Sequence, residues 1–284
     1  MTAGATRRDD WTPLIVAVAP TGAYRSKADH PALPETAAEI AATAAACREQ
    51  GAAMIHLHVR DREGRHTVDA DAYRRATDAI RGAVGDDLII QVTSESGGRF
   101  GPDAQMAMVR ELRPEAVSLA VRELVPDATR EAAAAAFLAW LERERILPQF
   151  ILYTVEDVAR YRDLRARGVV PGGGFFTLFV LGRYGVAEHS SPRDLMPFVA
   201  AWSDDPAPWA ACAFGRRECA CAMTAAALGG HVRVGFENNL LLSDGRPAPD
   251  NAALVAQARI GAEVIGRVLA DGATARNILW QAIG

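Results

Sequence analysis

The chain has 284 residues, of which 50 % are hydrophobic and 23 % are charged. These proportions exclude wholesale disorder, because a disordered chain lacks the apolar residues needed to build a core. The formal net charge of −4 argues against a nucleic-acid partner, since a broad nucleic-acid interface requires a basic domain.

The cysteines and the N-terminus indicate a compartment. The four cysteines include no CxxC pair, so we predict buried free thiols in a reducing environment. Residues 1–11 lack the apolar segment of a signal peptide, and the apolar run 14–19 is too short to cross a bilayer. We therefore expect a cytoplasmic enzyme with no membrane partner, in which residues 1–12 form a flexible N-terminal segment.

Short apolar runs alternate with longer amphipathic segments along the whole chain. The predicted strands are 14–19, 53–59, 88–93, 116–121, 149–153, 175–181, 209–214 and 232–237. The predicted helices are 34–50, 69–84, 103–112, 129–145, 155–167, 192–202, 217–228 and 251–269. Eight strand-then-helix units in this length predict an α/β fold, a single (β/α)8 TIM barrel over residues 1–284. A doubly wound parallel sheet is the alternative.

A histidine pair is the most informative local pattern. His56 and His58 alternate with Ile55, Leu57 and Val59 in the second predicted strand. The two imidazoles therefore share one face, and the apolar side chains face the helices. Active sites of such barrels lie at the carboxyl ends of the strands. Two imidazoles there are typical of a divalent metal site, above all Zn²⁺, while a metal-free polar cluster is the alternative.

Glu237 is the best candidate for a third ligand. It ends the eighth predicted strand, which in a closed barrel lies two strands from the second, about 10 Å away. Two histidines and one carboxylate leave an open position, as in catalytic zinc sites. Arg233 lies four residues earlier and so also points inward. There it would anchor a carboxylate or form an ion pair with Glu237.

Five motifs carry a resemblance to a known family. They are residues 20–23 (PTGA), 56–61 (HLHVRD), 177–182 (TLFVLG), 214–216 (FGR) and 229–239 (GGHVRVGFENN). On these motifs the chain resembles the β-keto acid cleavage enzymes, whose founding activity is the cleavage of 3-keto-5-aminohexanoate. The resemblance extends from residue 14 to about residue 279, and the last motif is long and specific.

The resemblance implies a fold, a metal and a reaction. It implies a TIM barrel assembled as a homotetramer, with Zn²⁺ held by His56, His58 and Glu237. It implies that a small-molecule β-keto acid reacts with acetyl-CoA to yield acetoacetate and a new acyl-CoA. It also implies that Arg233 takes part in proton transfer together with an aspartate that directly follows the metal-binding glutamate.

The chain departs from the family pattern in three places, namely Asn238, Tyr24 and a longer loop after the third predicted strand. Asn238 occupies the position of that aspartate, and an amide cannot act as a carboxylate base. Asp61 or Glu95 would then replace it, or Asn238 only orients Arg233 or the substrate. Tyr24 matches the position at which a glutamate of the family binds an amine, which argues against a cationic amino substrate.

The remaining predicted substrate contacts are Thr93, Ser94, Ser118, Arg122 and Arg216. The resemblance implies a hydroxyl contact from Thr93 or Ser94, in a loop that is longer than usual. Arg122 follows the fourth predicted strand and would receive an anionic substrate tail or pair with Glu123. Arg216 opens a helix after the seventh strand and is the candidate for contact with substrate or CoA. We expect a neutral or anionic β-keto acid.

The other histidines receive plainer interpretations, and two other functions stay open. We predict that His66 and His189 are surface loop residues, and that His231 is a structural residue at the bottom of the barrel. A zinc-dependent aldolase or hydrolase on the same barrel is one alternative function. A catalytically altered binding protein is the other, since Asn238 replaces a catalytic carboxylate.

Overall fold

The structure, a computed structural model, describes residues 11–172, 175–185 and 189–281. Most of the predicted N-terminal segment, residues 1–10, lies outside these described residues. The described strands are β1 Val16–Val18, β2 Met54–Leu57, β3 Val59–Arg60, β4 His66–Thr67, β5 Ile89–Thr93, β6 Ala116–Ala120, β7 Leu147–Leu152, β8 Phe176–Leu181, β9 Trp209–Ala213 and β10 His231–Val234. The described α-helices are α1 Ala37–Glu49, α2 Ala70–Val84, α3 Pro102–Leu112, α4 Val121–Leu124, α5 Glu131–Arg143, α6 Val155–Ala166, α7 Met196–Trp202, α8 Glu218–Ala227, α9 Asn251–Val264 and α10 Gly272–Gln281.

Eight of these strands form a closed parallel barrel in the order β1-β10-β9-β8-β7-β6-β5-β2. The barrel closes at β1, which pairs with β10 on one side and with β2 on the other. The predicted fold class and the predicted count of eight barrel strands are therefore confirmed. In the described part of the chain, no helix combines the length and the hydrophobicity needed to span a membrane.

The interior of the barrel changes from apolar to polar toward the carboxyl ends of the strands. Met54 and Ile89 belong to the apolar cluster inside the barrel. Two residues further along the same strands, His56 and Gln91 are buried in its polar upper layer. Because side chains two residues apart share a face of a strand, these polar groups also point into the barrel, at the end where such folds place their active sites.

Two predicted strands end earlier than the sequence indicated. β2 ends at Leu57 and β10 ends at Val234, so His58 and Glu237 follow the strands rather than lie within them. The reason at β10 is Gly235, whose φ of +137° leaves the extended conformation. A Cβ at this glycine would lie 2.4 Å from the Ala19 carbonyl oxygen, so only glycine allows the chain to turn here.

Other differences concern helices and a hairpin. The prediction that the helix from residue 251 extends to residue 269 is wrong. The helix α9 ends at Val264, and Gly266 follows with a φ of +78°. The helices α4 and α10 and the antiparallel pair of β3 and β4 were not predicted. This hairpin folds back over the end of β2 and brings His66 toward the barrel mouth.

Candidate metal centre and adjoining cavity

Three buried side chains converge at the mouth of the barrel. His56 lies on β2, His58 directly follows that strand, and Glu237 lies in the turn after β10. The Nε2 atoms of the two histidines are 3.1 Å apart. Each Nε2 lies 3.5 Å from Oε2 of Glu237. The structure thus brings the three predicted metal ligands together at one point.

The tautomer of His56 follows from its neighbour Gln91. The side-chain nitrogen of Gln91 donates a hydrogen bond to Oε1 of Gln149 over 3.1 Å. Its oxygen therefore faces Nδ1 of His56, 2.8 Å away. His56 must donate through Nδ1, so its Nε2 keeps a free lone pair directed at the meeting point.

A second relay fixes the tautomer of His58. Nε2 of His66 lies 2.7 Å from the backbone carbonyl oxygen of Glu95 and donates to it. Nδ1 of His66 is then an acceptor, and it receives the Nδ1–H of His58 over 3.4 Å. Nε2 of His58 is therefore also an unprotonated lone pair. The prediction that His66 is a surface residue is wrong, because β4 buries it to 3 % exposure behind His58.

Three lone pairs facing one another in a buried site require a positive charge between them. Oε2 of Glu237 is buried and, among the described residues, has no hydrogen-bond partner. Burial lowers the pKa of His56 to about 3, so this imidazole is neutral and cannot supply the missing proton. The donor set of two imidazoles and one carboxylate, each imidazole held through its other nitrogen, fits a divalent cation such as Zn²⁺.

Arg233 packs against the same carboxylate. Its Nη2 donates to Oε1 of Glu237 over 3.1 Å, to Oδ1 of Asn238 over 3.2 Å and to Sγ of Cys212 over 3.3 Å. Burial acts to raise the pKa of Glu237, but Arg233 is the strongest of several neighbours that together hold that pKa well below its usual range. The predicted ion pair of Arg233 with Glu237 is present. Nε of Arg233 and Nδ2 of Asn238 stay buried without a partner in the described chain.

The turn that carries Glu237 is held from two sides. Glu218, the first residue of α8, accepts hydrogen bonds from the backbone N–H of Gly235 over 3.0 Å and from Nδ2 of Asn239 over 3.2 Å. Asn251 accepts from the backbone N–H of Phe236 over 2.8 Å. Sequence reasoning missed Glu218 and Asn251, because their partners are distant along the chain. Burial raises the pKa of Glu218 to about 8.

A cavity of about 310 Å³ opens beside the candidate metal ligands. Its lining includes Tyr24, Glu95, Arg122, Tyr153, Arg233 and Asn238. Oε2 of Glu95 lies 3.8 Å from Nε2 of His58, whereas Asp61 pairs with Arg65 in the β3–β4 hairpin. Of the two carboxylates considered as a replacement for the family's aspartate, only Glu95 lines the cavity.

Four of the predicted substrate residues do not line this cavity: Thr93, Ser94, Ser118 and Arg216. Oγ of Ser118 donates to Oγ1 of Thr93 over 2.9 Å, and Oγ of Ser94 donates to the backbone oxygen of Ser118 over 3.0 Å. These buried bonds tie the ends of β5 and β6 together. Arg216 is exposed and is not among the cavity residues, while Tyr24, on the wall, is 58 % exposed.

Two other histidines behave as predicted. His189 is exposed. His231 is buried on β10, where its Nδ1 accepts the backbone N–H of Ile15 over 3.0 Å. This bond joins two barrel strands and gives His231 a structural role away from the cavity. All four cysteines are free, as predicted. Cys47, Cys212 and Cys221 are buried, as predicted, whereas Cys219 is only half-buried.

Comparison with known proteins extends the geometric argument. The chain is 31 % identical to a 3-oxoadipate:acetyl-CoA acetyltransferase of Cupriavidus necator, over 94 % of each protein. It is 32 % identical to a 3-keto-5-aminohexanoate cleavage enzyme of Fusobacterium nucleatum subsp. nucleatum, over 94 % of this chain and 97 % of that one. ObcA, solved as a ternary complex with a C4-CoA adduct and oxalate, has a TM-score of 0.71 at 18 % identity, covering 88 % of this chain and 68 % of its own. That likeness supports the fold.

The family match covers nearly the whole described barrel. The family defined as beta-keto acid cleavage enzyme matches residues 13–280, a range that includes every candidate ligand and every residue of the cavity. The chain therefore belongs to the β-keto acid cleavage enzyme family and is an enzyme of that class.

Proposed function

We propose that this chain transfers an acyl group from a β-keto acid to CoA, with acetyl-CoA as co-substrate and Zn²⁺ held by His56, His58 and Glu237. The bond between C2 and the keto carbon C3 of the β-keto acid breaks. Its C1–C2 fragment joins the acetyl group of acetyl-CoA to form acetoacetate, and its acyl fragment, which contains C3, takes the CoA thiol to form the new acyl-CoA. The observation that carries the proposal is the convergence of three unprotonated lone pairs at one buried point. The name of the Cupriavidus necator relative supports acetyl-CoA as co-substrate.

The residues around the ligands can bind and orient a β-keto acid. A divalent cation would act here as a Lewis acid toward the keto oxygen. Nε of Arg233 and Nδ2 of Asn238 are buried donors without partners in the described chain, and both residues line the cavity. These donors can hold a carboxylate or enolate oxygen, and their bonds strengthen because the site excludes water.

Proton transfer needs a general acid or base, and the amide of Asn238 cannot act as one. Glu95 lines the cavity, its side chain has no hydrogen bond among the described residues, and its Oε2 lies 3.8 Å from Nε2 of His58. The loop after β5 therefore supplies the carboxylate that the turn after β10 lacks. Arg233 positions the substrate oxygen, and Glu95 accepts or returns the proton. In the cell we expect the protein to act as a cytoplasmic homotetramer.

The test is a product screen with zinc-loaded protein. A panel of β-keto acids is offered with acetyl-CoA, and new acyl-CoA and acetoacetate are measured by mass spectrometry. We expect both products in equal amounts from at least one substrate, and neither product from His56→Ala. Cleavage that proceeds without acetyl-CoA would instead favour the aldolase or hydrolase, and a silent panel with zinc bound would favour the altered binding protein.

A further inference from the structure

Arg122 is a cation on the cavity wall, and none of the described residues forms a hydrogen bond or ion pair with its guanidinium. Its guanidinium carbon lies 3.7 Å from the centre of the Tyr153 ring, so the side chain stacks on that ring. Stacking occupies the face of the guanidinium plane and leaves its N–H groups at the edge. A planar anion can therefore approach that edge.

The neighbouring carboxylate does not neutralise this arginine. Glu123 follows Arg122 directly, and an ion pair between them was one prediction. Instead Oε1 of Glu123 accepts from Oγ of Ser96 over 2.8 Å, and Oε2 accepts from the Ser96 backbone N–H over 2.9 Å and from Nε2 of Gln105 over 2.7 Å. Both oxygens are occupied by the loop after β5 and by α3. The predicted Arg122–Glu123 pair is therefore absent.

Tyr153, the residue on which Arg122 stacks, is anchored through its backbone. The backbone N–H of Tyr153 donates to Oδ2 of Asp157 over 2.9 Å at the start of α6. Tyr153 is thereby held at the end of β7, where its half-buried ring forms part of the cavity wall. A side chain that is stacked on a fixed ring loses less conformational freedom when it binds a ligand.

We propose that Arg122, stacked on Tyr153, binds a carboxylate at the far end of the substrate, so that the preferred β-keto acids are dicarboxylates. This inference rests on the proposed function, because the α-carboxylate and keto group must occupy the region of Arg233 and Asn238. Both ends lie in one cavity of about 310 Å³, which is of the size that holds a small molecule. A guanidinium edge matches a carboxylate through two parallel hydrogen bonds.

The first test compares three β-keto acids with the same six-carbon chain. The chain ends in a carboxylate in 3-oxoadipate and in a methyl group in 3-oxohexanoate. In 3-keto-5-aminohexanoate it ends in a methyl group and carries an amine on C5. With zinc-loaded protein and saturating acetyl-CoA, we expect kcat/KM for 3-oxoadipate to exceed the other two at least about 10-fold. Equal values, or preference for the methyl or amine substrate, would overturn the proposal.

A matched pair of arginine variants assigns the preference to one side chain. Arg122→Gln should lower kcat/KM for 3-oxoadipate by about 10- to 100-fold and change 3-oxohexanoate less than about threefold. Arg143→Gln is the control, since Arg143 is exposed in the last turn of α5, and it should change neither. If Arg122→Gln raised the KM for acetyl-CoA equally with every β-keto acid, Arg122 would bind the phosphates of CoA instead.

A binding measurement separates this inference from the proposed function. Adipate and hexanoate differ only in the second carboxylate, and neither can be cleaved. Calorimetry with zinc-loaded protein should give tighter binding of adipate, by about 10-fold or more, and Arg122→Gln should abolish the difference. If no β-keto acid is cleaved but adipate still binds more tightly than hexanoate, acyl transfer is refuted and the carboxylate site is supported. Equal binding of adipate and hexanoate to the unmodified protein would refute the site itself.

Discussion

Replacement of His66 by phenylalanine tests whether the tautomer of His58 controls the metal centre. Phenylalanine keeps an aromatic ring of similar volume but removes the acceptor for the Nδ1–H of His58, 3.4 Å away. It also removes the donor to the Glu95 carbonyl oxygen. Nδ1–H of His58 is then a buried donor without an acceptor, a state that costs about 1–3 kcal/mol.

The cost reaches the metal because the imidazole can relieve it by moving its proton. A proton on Nε2 would occupy the lone pair that points at Glu237, and zinc binding would have to displace it. Outer partners of metal-binding histidines typically contribute about 10- to 100-fold in affinity, which is about 1.4–2.7 kcal/mol. We therefore expect zinc to bind His66→Phe about 10- to 100-fold more weakly in a chelator-competition titration.

His231→Phe is the matched control for this experiment. His231 is equally buried and also loses one hydrogen bond, that to the backbone N–H of Ile15, but it lies outside the cavity. Both variants should unfold at lower denaturant concentration, and only His66→Phe should lose zinc affinity. Zinc affinity within twofold of the unmodified protein in His66→Phe would refute the tautomer argument.

Three further changes test the turn, the buried histidines and the proton acceptor. Gly235→Ala places a Cβ 2.4 Å from a backbone oxygen at a φ of +137°, so it should lower the unfolding free energy by more than about 2 kcal/mol. Gly64→Ala is the control, because Gly64 has a φ of +74° but open space around its Cβ position, and it should cost about 1 kcal/mol. Burial lowers the pKa of His231 from 6.5 to about 3, so only the unfolded chain takes up this proton between those pH values. Urea unfolding should show stability falling by about 1.4 kcal/mol per pH unit from this group as pH drops below about 6.5, and His231→Phe should remove that share. Glu95→Gln should lower kcat by on the order of 100-fold with zinc still bound, and the added change Asn238→Asp should restore part of it; unchanged kcat in Glu95→Gln would remove Glu95 from proton transfer.

Local periodicity predicted the parts of the site that lie on or next to barrel strands. Around His56, polar and apolar residues alternate because successive side chains of a strand point to opposite faces. The apolar side chains face the helices, so the imidazole points into the barrel. Glu237 was found although it lies beyond the end of β10. The chain turns at Gly235, directly after β10. This turn brings Glu237 to the two histidines, where a longer strand was expected to place it.

The missed residues act through contacts that sequence spacing does not encode. His66 reaches His58 because two residues of β3 pair with two residues of β4, a pairing too short to leave a periodic pattern. Glu218 belongs to α8 but binds the turn after β10, 17 residues later. In both cases a single polar side chain in an ordinary helix or hairpin holds a distant element. Such a residue is recognised only when the tertiary fold supplies its partner.

Asn238, at the position where the family resemblance implies an aspartate, is consistent with the charges that the fold collects around Arg233. That guanidinium already contacts Glu237 and the oxygen of Asn238, so the amide keeps the hydrogen bond that an aspartate would make while removing one negative charge. The carboxylate of Glu95 lines the same cavity, with Oε2 3.8 Å from Nε2 of His58. This arrangement leaves the Arg233 side of the pocket more favourable to an anionic substrate, because one fewer carboxylate repels it.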